Sequence, residues 1–143
     1  MALGAVAIGP LTEAVGNPSP AVRWEAVKAL GEMYDPAATA GLVRGLVDED
    51  FGIRWLAAEG LVRLGYPGLV ASLRALEVGA ESVWLRGRVH QILRAFARQG
   101  YGRDLVPVLR ALEGWDPETT APLAAARALD ALAMAEAAGI KRH

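Results

Sequence analysis

Val22-Arg23-Trp24-Glu25-Ala26-Val27-Lys28-Ala29-Leu30 returns 31 positions later as Ile53-Arg54-Trp55-Leu56-Ala57-Ala58-Glu59-Gly60-Leu61. The aliphatic-Arg-Trp start, the fifth-place Ala and the ninth-place Leu are all kept. A fixed period of this size marks a repeat array and changes the meaning of every other signal. A third copy, Leu85-Arg86-Gly87-Arg88-Val89-His90-Gln91-Ile92-Leu93, stands 32 positions further on and keeps the aliphatic-Arg pair and the ninth-place Leu. A fourth, Ala121-Pro122-Leu123-Ala124-Ala125-Ala126-Arg127-Ala128-Leu129, keeps the Ala and the Leu but has Pro122 where the arginine stood.

Between these segments runs a second repeated element: Gly41-Leu42-Val43-Arg44-Gly45-Leu46, then Gly68-Leu69-Val70-Ala71-Ser72-Leu73-Arg74-Ala75-Leu76-Glu77, then Asp104-Leu105-Val106-Pro107-Val108-Leu109-Arg110-Ala111-Leu112-Glu113. Gly9-Pro10-Leu11-Thr12-Glu13-Ala14-Val15 fits the same template, so the array is expected to open on the back half of a repeat. Two alternating elements make an array of helical hairpins, with a first-type and a second-type helix in each.

Helix is preferred to strand because apolar residues fall at 22, 26, 29 and 30, and at 42, 43, 46 and 47, the three-and-four spacing of one helical face. Ser19-Pro20, Asp35-Pro36, Asp50, Ser82 and Asp116-Pro117 are expected caps, several with proline at the first helical position. In the first three copies the cap falls three residues before the aliphatic of the aliphatic-Arg pair. Gly65, Gly79 and Gly100 are expected stops, free to take the left-handed conformation. The pattern predicts helices over roughly 10–15, 20–33, 36–47, 51–64, 67–77, 82–99, 103–113 and 117–137.

A cap, a few residues, aliphatic-Arg, then Ala and Leu at fixed offsets, as in Asp50-Phe51-Gly52-Ile53-Arg54-Trp55-Leu56-Ala57-Ala58-Glu59-Gly60-Leu61, resembles the HEAT-like repeat, including the short subclass first noted in phycobilisome lyases. The resemblance covers residues 9 to 137. It implies an all-α, right-handed solenoid of about four hairpins, with first-type helices on a convex side, second-type helices on a concave side, and a role in protein association. One domain over 1–143 is expected, with repeats at about 9–16 (half), 19–48, 50–79, 82–113 and 116–137 (half or cap). The same repeat hosts scaffolds, chromophore lyases, a DNA glycosylase group and a di-iron hydroxylase, so it implies fold more firmly than function.

Arg23, Arg54 and Arg86 recur one position after a core aliphatic, Val22, Ile53 or Leu85, and in repeats of this kind such arginines are expected to bond loop carbonyls or an Asp of the neighbouring repeat, Asp48 or Asp50, and not a ligand. The tryptophans are the first candidate surface. At about 100° per residue, Trp24 and Trp55 lie ~200° from Val22 and Ile53, and Trp84 falls on a similar side of its helix. Large aromatics exposed on adjacent helices form a ladder suited to a protein partner or to a homodimer; the alternative is that they are lateral core. A second candidate is the concave side, where Arg44, Arg74 and Arg110 flank Asp48, Glu77 and Glu113; these are a peptide-receiving groove or ordinary solvated charges. A third is the basic run Arg86, Arg88, Arg94, Arg98 and Arg103 with His90 on one long helix, suited to phosphate or an acidic partner, or else a solvated face.

Enzymatic readings fare poorly by residue type. Only His90 and His143 are present, neither followed by Glu, so the metal-holding His-Glu pairs of the hydroxylases are missing. There is no Gly-rich phosphate loop with Lys and Ser or Thr. Ser19, Ser72 and Ser82 have no histidine in a recognisable arrangement. There is no cysteine, hence no disulfide or thiolate. A net charge of −1 and an isoelectric point of 6.1 disfavour nucleic acid, although a nucleic-acid binder akin to the glycosylase group is the alternative reading and a chromophore-lyase-like accessory a further one. No apolar run approaches the roughly 20 residues of a membrane span, and the opening Met1–Ile8 lacks a basic leader. The expectation is a cytoplasmic, non-catalytic interaction module without cofactor, metal or catalytic residues.

Overall fold

The computed structural model describes residues 2–140, with side chains from residue 7 onward. The regular structure among them is helical throughout: α1 (Ala2–Ala14), α2 (Pro20–Glu32), α3 (Thr39–Gly45), α4 (Phe51–Arg63), α5 (Tyr66–Gly79), α6 (Val83–Phe96), α7 (Gly102–Glu113) and α8 (Pro117–Ala137). The hairpin reading therefore stands, with corrections at the ends. A 3-10 turn at Pro36–Ala38 leads into α3, so the element expected as one helix over 36–47 is two short pieces. The helix expected over 82–99 stops at Phe96, where a wide π turn, Ala97–Tyr101, carries the chain into α7. Helix α1 starts well before residue 10 and contains Pro10, whose ring is exposed.

The helix starts follow their side chains. Ser19 Oγ, Asp50 Oδ1 and Ser82 Oγ accept from the backbone N–H groups of Val22, Ile53 and Leu85 at 3.4, 3.2 and 3.2 Å. Each satisfies one of the donors that a helix leaves without a partner in its first turn. Asp35 does the same for the 3-10 turn through Ala37 N at 2.9 Å. Asp116 is not a side-chain cap. Its backbone, at φ −134° and ψ 59°, departs from the extended conformation of the other caps, and its carbonyl instead accepts from Thr120 Oγ1 at 2.9 Å.

Of the three expected stops, Gly65 and Gly100 are left-handed, at φ 74° and 105°, where a glycine pays no steric penalty. Gly79 is not. It closes α5 in ordinary helical geometry, and its missing side chain serves packing, since a Cβ there would sit 2.7 Å from Leu85 Cδ2. Tyr34 ends α2 at φ 53° without being a glycine.

The chain divides into two compact units, Met1–Ala71 and Ser72–His143. In the first, α2 and α4, first-type helices of consecutive repeats, lie side by side, and α3 packs against α1, α2 and α4. Val27, Leu30, Leu42, Leu46, Ile53 and Leu61 are fully buried there, each contributing about 1.5–3 kcal/mol. The expected core stripe fails at one place. Val22 is 40% exposed and Arg23 is buried, because the first turn of α2 has no earlier first-type helix beside it among the described residues, whereas Ile53 of α4 has α2.

In the second unit α6 packs on α7 across the π turn, and α7 lies along α8. Phe96 is fully buried and meets Tyr101 edge to face, with ring centroids 6.0 Å apart. The inward stripe of α8 is Ala121, Ala125, Ala128 and Leu132. Its small side chains let α7 and α8 run close together.

Candidate functional site

The repeated arginines hold turns, the role expected of residues that recur in such repeats. Arg23 Nη1 donates to the carbonyl of Asn17 at 3.0 Å, Arg54 Nη1 to that of Asp48 at 2.6 Å, and Arg86 Nη1 to that of Ala80 at 2.6 Å. The acceptor lies six residues back in all three. The arginine thereby closes the loop that leads into its own helix. Arg23 adds the Pro18 carbonyl and a forked pair to Asp48, Nε to Oδ2 at 2.8 Å and Nη2 to Oδ1 at 3.3 Å. Its pKa is raised above the ordinary arginine value, first by the hydrogen bond to Asp48 and then, against the opposing effect of desolvation, by the charges of Asp48, Glu49 and Asp50. A raised folded-state value means that, while the Asp48 carboxylate carries its charge, this stabilisation is complete below the ordinary arginine range and is lost as pH climbs through the raised value.

This removes Asp48 from the expected groove. Its side chain is 6% exposed and committed to Arg23 and to the Asp50 N–H. Glu113 is also engaged, with Oε2 2.7 Å from His90 Nε2. Of the expected groove cations, Arg44 is exposed on α3 with its guanidinium lying over Gly16, Arg74 is exposed on α5, and Arg110 is exposed on α7. The basic run is dispersed. Arg86 is half-buried and bonded, with Glu118 3.8 Å from Nη1; Arg88 is half-buried; Arg94 and Arg98 are exposed; and Arg103 lies beyond the π turn, on α7. The turn at Gly100 breaks what was expected as one basic helix.

The tryptophans are neither core nor fully free. Trp24 on α2 is 39% exposed and Trp55 on α4 is 44% exposed. The Trp24 indole lies over Gly52 at the start of α4, where a Cβ would approach its Cζ3 to 2.6 Å. Val22 and Phe51 are exposed on the same two helices, and the Arg54 guanidinium stands 5.6 Å from the Phe51 ring centroid. In the second unit Trp84 on α6 is also 44% exposed.

A groove of about 880 Å3 runs between α7 and α8. Its floor is apolar, formed by Pro107, Ala111, Leu123, Ala124 and Ala128, and Arg103, Arg110 and Arg127 flank it. Trp115, in the turn between the two helices, belongs to its lining and is 96% exposed. Arg110 and Arg103, expected in two different surfaces, thus meet in one. Trp115 and Arg127 escaped sequence reasoning. The available signal was a tryptophan in a Gly-Trp-Asp-Pro turn, where no core stripe accounts for it.

The family model for HEAT repeats matches residues 8–83, more than half of the chain. The chain belongs to the HEAT-repeat family. No curated protein and no solved structure gives a significant match. HEAT repeats commonly serve as protein-interaction scaffolds, and the fold is typically non-enzymatic. Among the described residues of this HEAT-repeat chain, no three His, Asp or Glu side chains converge as a metal site, and no helix is long and apolar enough to cross a membrane.

Proposed function

We propose that this HEAT-repeat chain is a non-catalytic scaffold that binds another protein through the aromatic face of its first-type helices. The observation that carries it is the pair Trp24 and Trp55, which hold the same place in consecutive repeats and leave about two-fifths of each residue in water. Two large aromatics kept half-exposed beside Val22 and Phe51 have the composition of a binding patch, where buried tryptophan commonly supplies the dominant contacts.

The test is affinity capture from native extract, with and without nuclease, comparing the wild-type chain with the Trp24→Ala, Trp55→Ala double variant. The expected result is a protein partner that survives nuclease and is lost with the indoles, while helical content by circular dichroism is unchanged. A double variant that loses its helical structure makes the rings lateral core and removes the proposal's basis. Partners that vanish with nuclease favour the nucleic-acid alternative.

A further inference from the structure

The groove between α7 and α8 has the position of a helix seat. In the first unit the second-type helix α3 packs against the first-type helix of its own repeat, α2, and against the second-type helix of the repeat before it, α1. The corresponding pair for a helix following α8 is α8 itself, which carries the first-type template, and α7, which carries the second-type one. Among the described residues no helix occupies that place.

We propose that this groove binds an acidic amphipathic helix of another protein. The proposal deepens the reading of the chain as an interaction module by giving it a second, chemically specified site. Charge selects the occupant. Arg103, Arg110 and Arg127 are exposed, and no hydrogen bond or ion pair engages any of them among the described residues. The carboxylates lining the groove are Asp104 and Asp116, and Asp104 is already engaged within the protein. The groove therefore has cationic charge to spare above an apolar floor, and Trp115 stands with its whole ring available to cover a docked helix. Arginine and tryptophan are the side chains that most often dominate such contacts, and guanidinium groups match carboxylates in a forked geometry.

Geometry sets the spacing. Arg103 and Arg110 are seven residues apart on α7, which places them ~10.5 Å apart along one wall; Arg127 stands on the opposite wall. A ligand helix of about three turns fits, with an apolar stripe at three-and-four spacing against the alanine floor. It carries Asp or Glu two turns apart on one flank and at least one acid on the other.

The experiment is selection of a displayed library of helix-forming peptides of about 14 residues on the intact 143-residue chain. Survivors are then titrated by fluorescence anisotropy against wild type, the Arg103→Glu, Arg110→Glu double variant, Trp115→Ala, and the Trp24→Ala, Trp55→Ala variant. The expected survivors carry an apolar stripe flanked by acids. Their affinity falls at least about 10-fold in the arginine double variant and in Trp115→Ala, is unchanged in the Trp24 and Trp55 variant, and is restored on the double variant when the peptide's acids become lysine. The positions altered in the groove are exposed, and Trp115→Ala gives a readout that does not depend on the charge reversal folding. Failure to enrich any peptide overturns the proposal, as do survivors without acidic bias or survivors that bind the groove variants as tightly as wild type. Peptides lost only with Trp24 and Trp55 also overturn it while leaving the scaffold reading intact. Binding of a fluorescent single-stranded oligonucleotide at Arg103 and Arg110 without acidic-peptide binding assigns the groove to nucleic acid and overturns it too.

Discussion

Gly68→Ala is expected to destabilise the chain by about 3 kcal/mol, although placing alanine for glycine inside a helix ordinarily stabilises by about 1 kcal/mol. Gly68 lies in the first turn of α5, and a Cβ there would collide with the backbone carbonyl of Leu61, in the last turn of α4. The clashing atom is backbone and not the end of a flexible side chain, so the collision is relieved by moving α5 away from α4. The matching glycine of the preceding second-type element, Gly41, meets the matching leucine, Leu30, but through the side-chain Cδ1 at 2.6 Å. Gly41→Ala is correspondingly milder, because a rotamer change can absorb it. Gly87, exposed on α6 with nothing within 4 Å of its would-be Cβ, is the control; there alanine should add about 0.5–1 kcal/mol. Urea denaturation of the three single variants checks the order. A Gly68→Ala variant as stable as Gly87→Ala would mean that the close approach of α5 to α4 contributes nothing.

Sequence reading recovers repeated placement: Gly41 and Gly68 share one position of the second-type template, 27 residues apart, and Leu30 and Leu61 share one of the first-type template, 31 apart, although the contacts between them show only in the structure. The same holds for Ser19, Asp50 and Ser82, three residues before the first helical aliphatic or its equivalent, and for the arginines that reach six residues back. Each is local in sequence and repeated, so one copy checks another. The reading failed where an element lost its neighbour. Val22 matches Ile53 by template yet is exposed, because burial at that position is supplied by an adjacent first-type helix. Asp116 matches the other caps in residue type, but its repeat has drifted and its backbone turns differently. The candidate groove was least legible for the same reason. Arg103, Arg110, Arg127 and Trp115 lie far apart in any linear motif, and what unites them is the packing of α7 on α8 with no further helix seated beside them among the described residues.

Asp48→Ala is expected to lower the melting temperature by roughly 10 °C, and Asp48→Asn by about half as much. One carboxylate accepts three hydrogen bonds, two from Arg23 and one from the Asp50 N–H, while the carbonyl of the same residue accepts from Arg54. Asp48 thus fastens the turn before α4 to the start of α2. The alanine variant keeps the backbone contact with Arg54 but leaves the buried Arg23 guanidinium with two carbonyls and a distant, 81% exposed Glu49 at 3.7 Å. Removing one partner of an enclosed ion pair costs more than the pair itself contributes, because the remaining charge is left poorly solvated. The asparagine variant keeps the shape and one acceptor oxygen but loses the charge together with the second acceptor, so it retains part of the network and its loss is intermediate. The third repeat supplies the comparison within one molecule. Ala80 stands where Asp48 would, Arg86 bonds its carbonyl, and among the described residues the carboxylate paired with it is Glu118, 62% exposed at 3.8 Å. An exposed pair of that kind contributes about 0–1 kcal/mol, so Glu118→Ala should leave the melting temperature almost unmoved. Thermal melts of the three variants decide whether the arginine positions are equivalent: a drop at Asp48 alone makes the first interface between consecutive repeats the clamped one, whereas equal, small shifts at both places would leave the backbone contacts six residues back as the whole role of these arginines.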